Sequence, residues 1–126
     1  MNDSGVAVPT KILVVEDDLD YREMVVEALA AHNFDVKAVV SGEDAIKSII
    51  EHGDTFDVTL MDVNLPGING LETMRKLRDA GYRGHIIALT GQPRYEARAL
   101  AQGADRFKVK PLSTKELLDT IATVMM

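Results

Sequence analysis

Four short stretches of the sequence carry side chains that could do chemistry together. Three adjacent acids, Glu16-Asp17-Asp18, follow the apolar run Ile-Leu-Val-Val; Asp62 follows Val-Thr-Leu-Met; Thr90 and Gly91 follow Ile-Ile-Ala-Leu; Lys110 and Pro111 follow Phe-Lys-Val. Carboxylates gathered within a few ångströms repel one another, and two like charges at about 4 Å cost on the order of 1 to 4 kcal/mol at intermediate dielectric. A hard divalent cation relieves that repulsion, and Mg2+ favours a few carboxylates, some waters and a substrate phosphate over a complete protein cage. Lys110 would add a fixed positive charge and Thr90 a hydroxyl. A carboxylate beside Mg2+, an ammonium and a hydroxyl donor is suited to attacking a phosphorus centre, because phosphoryl transfer needs mainly positioning and neutralisation of the equatorial oxygens. Taken singly, each residue has a plainer reading. The acidic run is a solvated turn with a helix cap, Asp62 a turn former ahead of Asn64 and Pro66, Thr90 a turn residue and Lys110 a surface lysine.

The elements that must position these groups alternate five times along the chain. Strands are expected at Ile12–Val15, Asp35–Val39, Val58–Met61, His85–Leu89 and Arg106–Val109, and three of them are continuous apolar runs, as a parallel sheet covered on both faces requires. Between them, apolar residues recur at helical spacing. Tyr21, Met24, Val25, Ala28 and Leu29 mark a helix at Leu19–Ala31; Ala45, Ile46, Ile49 and Ile50 mark one at Glu43–Glu51; Leu71, Met74 and Leu77 mark one at Leu71–Ala80. Leu117, Leu118, Ile121 and Val124 mark the last, at Thr114–Val124, while the helix at Pro93–Gln102 offers only Tyr95 and Leu100 and is expected to be weakly anchored. Gly81 and Gly103 fall where helix ends need a residue tolerant of positive φ. Such a βαβα chain builds a doubly wound α/β sandwich of three layers. Ligands bind such folds outside the carboxyl ends of the strands, which is where all four chemical groups stand.

Composition bounds the rest. The 126 residues suffice for one core, and 46% apolar with 27% charged side chains describe a globular protein. No run of ten apolar residues occurs, and Met1–Thr10 lacks the basic and apolar segments of a secretory signal, so a cytoplasmic protein without membrane insertion is expected. The absence of cysteine removes thiolate nucleophiles, zinc knuckles, iron–sulfur clusters and disulfides, and His32, His52 and His85 lie far apart in sequence. A net charge of −6 disfavours direct nucleic-acid binding. The charge is unevenly spread: residues 1–63 carry 14 acidic and 4 basic side chains, residues 64–126 carry 6 and 10, a pattern expected of an acidic site opposed by a basic face. Residues 1–10 read as a loose leader and 11–126 as the domain.

From about Lys11 to Met125 the chain resembles the receiver domain of two-component response regulators. The pieces that carry the likeness are KILVVEDD, DVTLMDVNLPGINGLE, IIALTG and FKVKP, in order and at family-like separations. The resemblance implies a flavodoxin-like sheet of strand order 2-1-3-4-5. It implies that Asp62 accepts a phosphoryl group from a phosphohistidine on a sensor histidine kinase or histidine phosphotransfer protein. It further implies that Glu16, Asp17 and Asp62 bind Mg2+ with the main-chain carbonyl of Asn64, that Lys110 pairs with the phosphate, and that Thr90 hydrogen-bonds it. Glu16 stands where an aspartate is often found, which lengthens one ligand arm. Thr90 and Phe107 would form the switch pair, although Phe107 lacks the hydroxyl of the tyrosine many members carry. Asn64 and Gln92 would tune the phosphoryl lifetime, and the bond before Pro111 would be cis. The output surface, toward a downstream protein or domain, would be the face of the fourth helix, last strand and fifth helix, with Arg94, Arg98, Lys108 and Lys115 beside Phe107.

Other classes remain open on the residues alone. A Mg2+-dependent aspartyl phosphatase of the haloacid dehalogenase type also uses an aspartate after a strand, but it needs a second aspartate two residues on as general acid, and here Asn64 stands there. A flavodoxin-like cofactor binder would need hydroxyl and glycine residues after the first strand, where Glu16-Asp17-Asp18 would repel a phosphate. A receiver-like module that binds partners without phosphorylation would not need the complete acidic set.

Overall fold

The computed structural model describes residues 8–126, so residues 1–7 of the expected leader lie outside the described residues. The order of elements is β1 (Lys11–Val15), α1 (Leu19–Ala31), β2 (Asp35–Val39), α2 (Gly42–Ile46, continued by a π turn at Lys47–Glu51), β3 (Val58–Asp62), α3 (Gly70–Asp79), β4 (His85–Thr90), α4 (Glu96–Ala101, entered through a 3-10 turn at Pro93–Tyr95), β5 (Arg106–Val109) and α5 (Thr114–Val124). The five strands form one parallel sheet in the order β2-β1-β3-β4-β5, as expected. Register places Val15 beside Met61, Asp62 beside Leu89 and Thr90 beside Val109, so the carboxyl ends of β1, β3, β4 and β5 share one rim.

Alternation along each strand divides the core between two faces. Ile12, Val14, Leu60, Ile87 and Leu89 pack against Val25 and Leu29 of α1 and Leu117, Ile121 and Val124 of α5. Leu13, Val15, Met61, Ile86 and Ala88 pack against Ala45 of α2, Met74 and Leu77 of α3 and Ala99 of α4. Helix starts are capped by Asp18, Ser41, Asn69 and Ser113, the last within a capping box closed by Glu116. At the end of the sheet away from the rim, Arg78 donates to the carbonyls of Tyr82 (2.9 Å), Gly84 (2.8 Å) and Gly103 (3.1 Å) and to Asp105 Oδ2 (3.1 Å). This one side chain ties α3 to the segments entering β4 and β5. Gly81 (φ 95°) and Gly103 (φ 115°) do end helices in the left-handed region.

Three apolar stripes differ from expectation. Met24 of α1 is exposed, and Val26 takes its place against the core. Ile50 of α2 is exposed because the π turn, in which the His52 N–H reaches back to the Lys47 carbonyl at 3.0 Å, widens the helix and rotates that side chain outward. The widened turn is held by Ser48, which is buried and donates to Asp54 Oδ2 at 2.6 Å, while Lys37 of the edge strand donates to both at 3.0 Å. In α4, Leu100 is 45% exposed and Ala99 is the only buried side chain. The helix is therefore anchored even more lightly than its sequence suggested.

Candidate functional site

β1 delivers Glu16 to the rim as the residue directly after its last pair, with the Glu16 N–H on the Val39 carbonyl at 3.1 Å. Glu16 Oε2 accepts from the Asp18 N–H at 3.1 Å and Oε1 pairs with Lys110 Nζ. Asp18 itself turns away to cap α1, accepting from the Tyr21 N–H at 2.8 Å. The acidic triplet thus divides into two site residues and a cap. Arg22, one turn into α1, donates to the carbonyls of Glu16 (3.0 Å) and Asp17 (3.3 Å) and fixes the path of the loop from behind.

β3 carries Asp62 to the centre of the rim, where it is 5% exposed. Its Oδ1 accepts from the Asn64 N–H at 3.0 Å and its Oδ2 lies 3.4 Å from Lys110 Nζ. β5 brings Lys110 across, anchored by its N–H on the Thr90 carbonyl at 2.9 Å and followed by the expected cis bond to Pro111. The Lys110 ammonium also stands 4.6 Å from the centre of the Tyr21 ring. Buried at the end of β4, Thr90 donates from Oγ1 to Asn64 Oδ1 at 2.6 Å and accepts from the Gln92 N–H at 3.2 Å; Asn64 Nδ2 donates to Gln92 Oε1 at 3.3 Å.

Electrostatics follow from this crowding. Burial, with the neighbouring Glu16 carboxylate, pushes Asp62 up to about 7, because the single Lys110 ammonium and the Asn64 N–H only partly offset it. Burial works against the Lys110 ammonium, yet Glu16 and then Asp62 outweigh it and hold its pKa above the usual lysine value. Glu16, Asp17 and Asp62 each offer a carboxylate oxygen, and these oxygens lie within 4.8 Å of one another. Two buried carboxylates that share the Lys110 ammonium, together with the exposed Asp17, form an all-oxygen donor set that fits a small hard cation with room for water and a further ligand. A cleft of about 310 Å³ lined by Asp17, Asn64, Pro66, Asn69 and Tyr95 opens beside the rim. Another of about 450 Å³ around Arg78, Tyr82 and His85 lies at the far end of the sheet and touches none of these groups.

The family profile described as "Response regulator receiver domain" matches residues 12–122. The chain belongs to that family. Among curated relatives, the receiver is 33% identical over 117 residues to the response regulator ArlR of Staphylococcus aureus, a match covering 92% of this chain and 52% of that protein. The chain thus spans about half the length of the curated relatives it matches. Among solved structures, it is similar to the chemotaxis response regulator CheY4 of Vibrio cholerae, with 29% identity, a TM-score of 0.84 and coverage of 93% and 99% of the two chains. It is also similar to the BeF3-activated N-terminal receiver domain of Klebsiella pneumoniae RstA, with 28% identity, a TM-score of 0.81 and coverage of 90% and 97%. A receiver is a phosphoacceptor regulatory domain of two-component signalling.

Of the site residues expected from sequence, Glu16, Asp17, Asp62 and Lys110 meet on the rim, and Asn64, Thr90 and Gln92 meet beside them. Phe107 pairs in register with Ala88, two positions from the partner of Thr90, and packs half-buried in the core on the α3 and α4 side of the sheet. Sequence reasoning missed Arg22 and Tyr21. The available signal was an arginine and an aromatic on the first turn after an acidic loop, where their side chains face back toward that loop.

Proposed function

We propose that Asp62 is the phosphoacceptor of a two-component phosphorelay, taking its phosphoryl group from a phosphohistidine on a sensor histidine kinase or a histidine phosphotransfer protein. The observation that carries this reading is a carboxylate buried at the centre of the rim, 3.4 Å from an ammonium that also pairs with a second buried carboxylate. A carboxylate oxygen of Asp62 attacks phosphorus in line with the P–N bond; the new P–O bond forms as the imidazole leaves with the electrons of the old one. Lys110 pairs with a phosphoryl oxygen and Thr90 donates its hydroxyl to another. Glu16, Asp17 and Asp62, with the Asn64 main-chain carbonyl, would hold Mg2+, which supplies positive charge to the transferring group. The receiver's own side chains catalyse the transfer and the later hydrolysis, and Asn64 and Gln92 tune how long the acyl phosphate survives. Asn64 also argues against a turnover phosphatase: it has no acidic proton to give, and its amide is engaged by Thr90 and Gln92.

The domain in this reading runs over 11–126, after a leader of residues 1–10, and works in the cytoplasm; no described helix is long and apolar enough to cross a membrane. Its output face is α4, β5 and α5, with Thr90 and Phe107 as the switch pair. Arg94 and Arg98 stack on Tyr95 at 5.1 and 5.9 Å, Lys108 and Lys115 lie on the neighbouring elements, and exposed Leu100 and Val109 supply apolar contact. An output protein or domain docking there would present acidic and apolar groups.

Incubation with a phosphohistidine donor and Mg2+ should raise the intact mass by one phosphoryl group, and Asp62→Ala or chelation should abolish the gain. Equal labelling of Asp62→Ala would overturn the assignment. Arg22→Met frees the carbonyls of Glu16 and Asp17 and should weaken Mg2+ binding about tenfold, as loss of an outer partner typically does. Calorimetric titration of Mg2+ checks this, and an unchanged affinity would show that the loop holds its shape without the guanidinium.

A further inference from the structure

Asn64, Thr90 and Gln92 close a ring of three hydrogen bonds, running from the Thr90 hydroxyl to Asn64 Oδ1 (2.6 Å), from Asn64 Nδ2 to Gln92 Oε1 (3.3 Å) and from the Gln92 N–H to Thr90 Oγ1 (3.2 Å). Each member both gives and accepts, so the loss of one bond weakens the other two. The ring lies where the rim meets the start of α4, since Gln92 is the residue on which the 3-10 turn Pro93–Tyr95 begins.

The two ends of α4 are held differently. At its C-terminal end, Arg75 of α3 donates to the Ala101 carbonyl (3.1 Å) and to Gln102 Oε1 (2.7 Å), and Arg78 donates to the Gly103 carbonyl (3.1 Å). Its middle buries only Ala99. Among the described residues, the side-chain hydrogen bonds that join residues 91–96 to the rest of the fold are those of the ring. The helix is therefore pinned at its end and latched at its start.

We infer that the Asn64 side chain is a positioning residue that holds Thr90 in its resting orientation and, through Gln92, latches the start of α4. This rests on the reading of Asp62 as the phosphoacceptor. Thr90 has one hydroxyl proton, and Asn64 Oδ1 holds it. A phosphoryl oxygen on Asp62 can take that proton only by displacing Asn64. The ring then opens, the Gln92 amide loses a partner, and α4 is free to swing about the arginine-held end. The coupling from site to output helix is thus a competition between two acceptors for one proton.

Amide exchange on the whole chain in its unphosphorylated form, with Mg2+, tests the latch. Asn64→Ala keeps the main-chain carbonyl and should speed exchange of the amides of 96–101 about tenfold, with those of α5 unchanged. Gln92→Ala breaks only the amide–amide bond and should give a smaller increase in the same segment. In wild type, BeF3 with Mg2+ should speed exchange at 96–101, and in Asn64→Ala it should add little. Unchanged exchange at 96–101 in Asn64→Ala, or an equal rise in α5, would overturn the proposal. The comparison of unphosphorylated proteins decides the latch even if Asp62 proves not to accept a phosphoryl group, a separate failure that intact mass would reveal.

Discussion

Without divalent cations at pH 8, Asp62→Asn should melt about 5 to 10 °C above the wild-type protein, and the gap should close as the pH falls toward 4. In the folded protein the Asp62 carboxyl is raised from 3.8 to about 7, chiefly by burial. A raised folded-state pKa means that the folded form holds a proton the unfolded chain has released, so the stabilisation is complete below the ordinary carboxyl value and is lost as the pH climbs through about 7. At about 1.4 kcal/mol per pH unit, the loss at pH 8 is at most about 4 kcal/mol, and because Glu16 and Asp62 titrate as a pair around Lys110, Asp62 alone carries only part of it. For a domain of this size that is several degrees. Asparagine keeps the acceptor for the Asn64 N–H and removes the charge. Mg2+ at a hundred times its dissociation constant should add about 2.7 kcal/mol to the wild type and far less to the variant, which reverses or erases their order. A lower melting temperature for Asp62→Asn at pH 8 without metal would mean that the attraction to Lys110 outweighs burial and the repulsion from Glu16.

What the sequence made legible is what repeats at short range. Buried parallel strands read as apolar runs, and the first residues after them, Glu16, Asp62, Thr90 and Lys110, then fall on one rim by the geometry of parallel strands. What it hid depends on partners far apart in the chain or on one residue's worth of helical phase. Ser48 is buried because Lys37 and Asp54 meet it, and the π turn this accompanies moves Ile50 off its stripe. The ring of Asn64, Thr90 and Gln92 joins positions 26 and 28 apart, which no local pattern marks. Asp18 belonged to an acidic run by sequence and to α1 by function, and only the bond to the Tyr21 N–H separates the two. In α4, Leu100 fitted a helical anchor by type, but the short helix turns it to solvent and leaves Ala99 inward.

Gly70→Ala is the substitution for which two physical rules give opposite signs. Helix propensity favours alanine over glycine by about 1 kcal/mol, and Gly70 is the first residue of α3. A Cβ there, however, would stand 2.1 Å from the Asp62 carbonyl oxygen, 2.8 Å from Val63 Cα and 2.9 Å from the Asp62 carbonyl carbon. All three are main-chain atoms that cannot swing aside, and the Gly70 N–H is tied to the Val63 carbonyl at 2.9 Å, so relief requires α3 and the end of β3 to part. Overpacking of this kind costs about 3 kcal/mol or more, well above the propensity gain. The displaced peptide is that of Asp62, so the same substitution should slow phosphoryl labelling as well as lower the melting temperature by about 10 °C. Gly81→Ala is the internal comparison: nothing lies within 4 Å of its Cβ, and only the positive φ of 95° opposes it, at about 1 kcal/mol. A Gly70→Ala protein that melts no lower than Gly81→Ala and labels at the wild-type rate would show that α3 can lift off the acceptor strand without disturbing the site, and that the close approach of Gly70 is not what sets the position of Asp62.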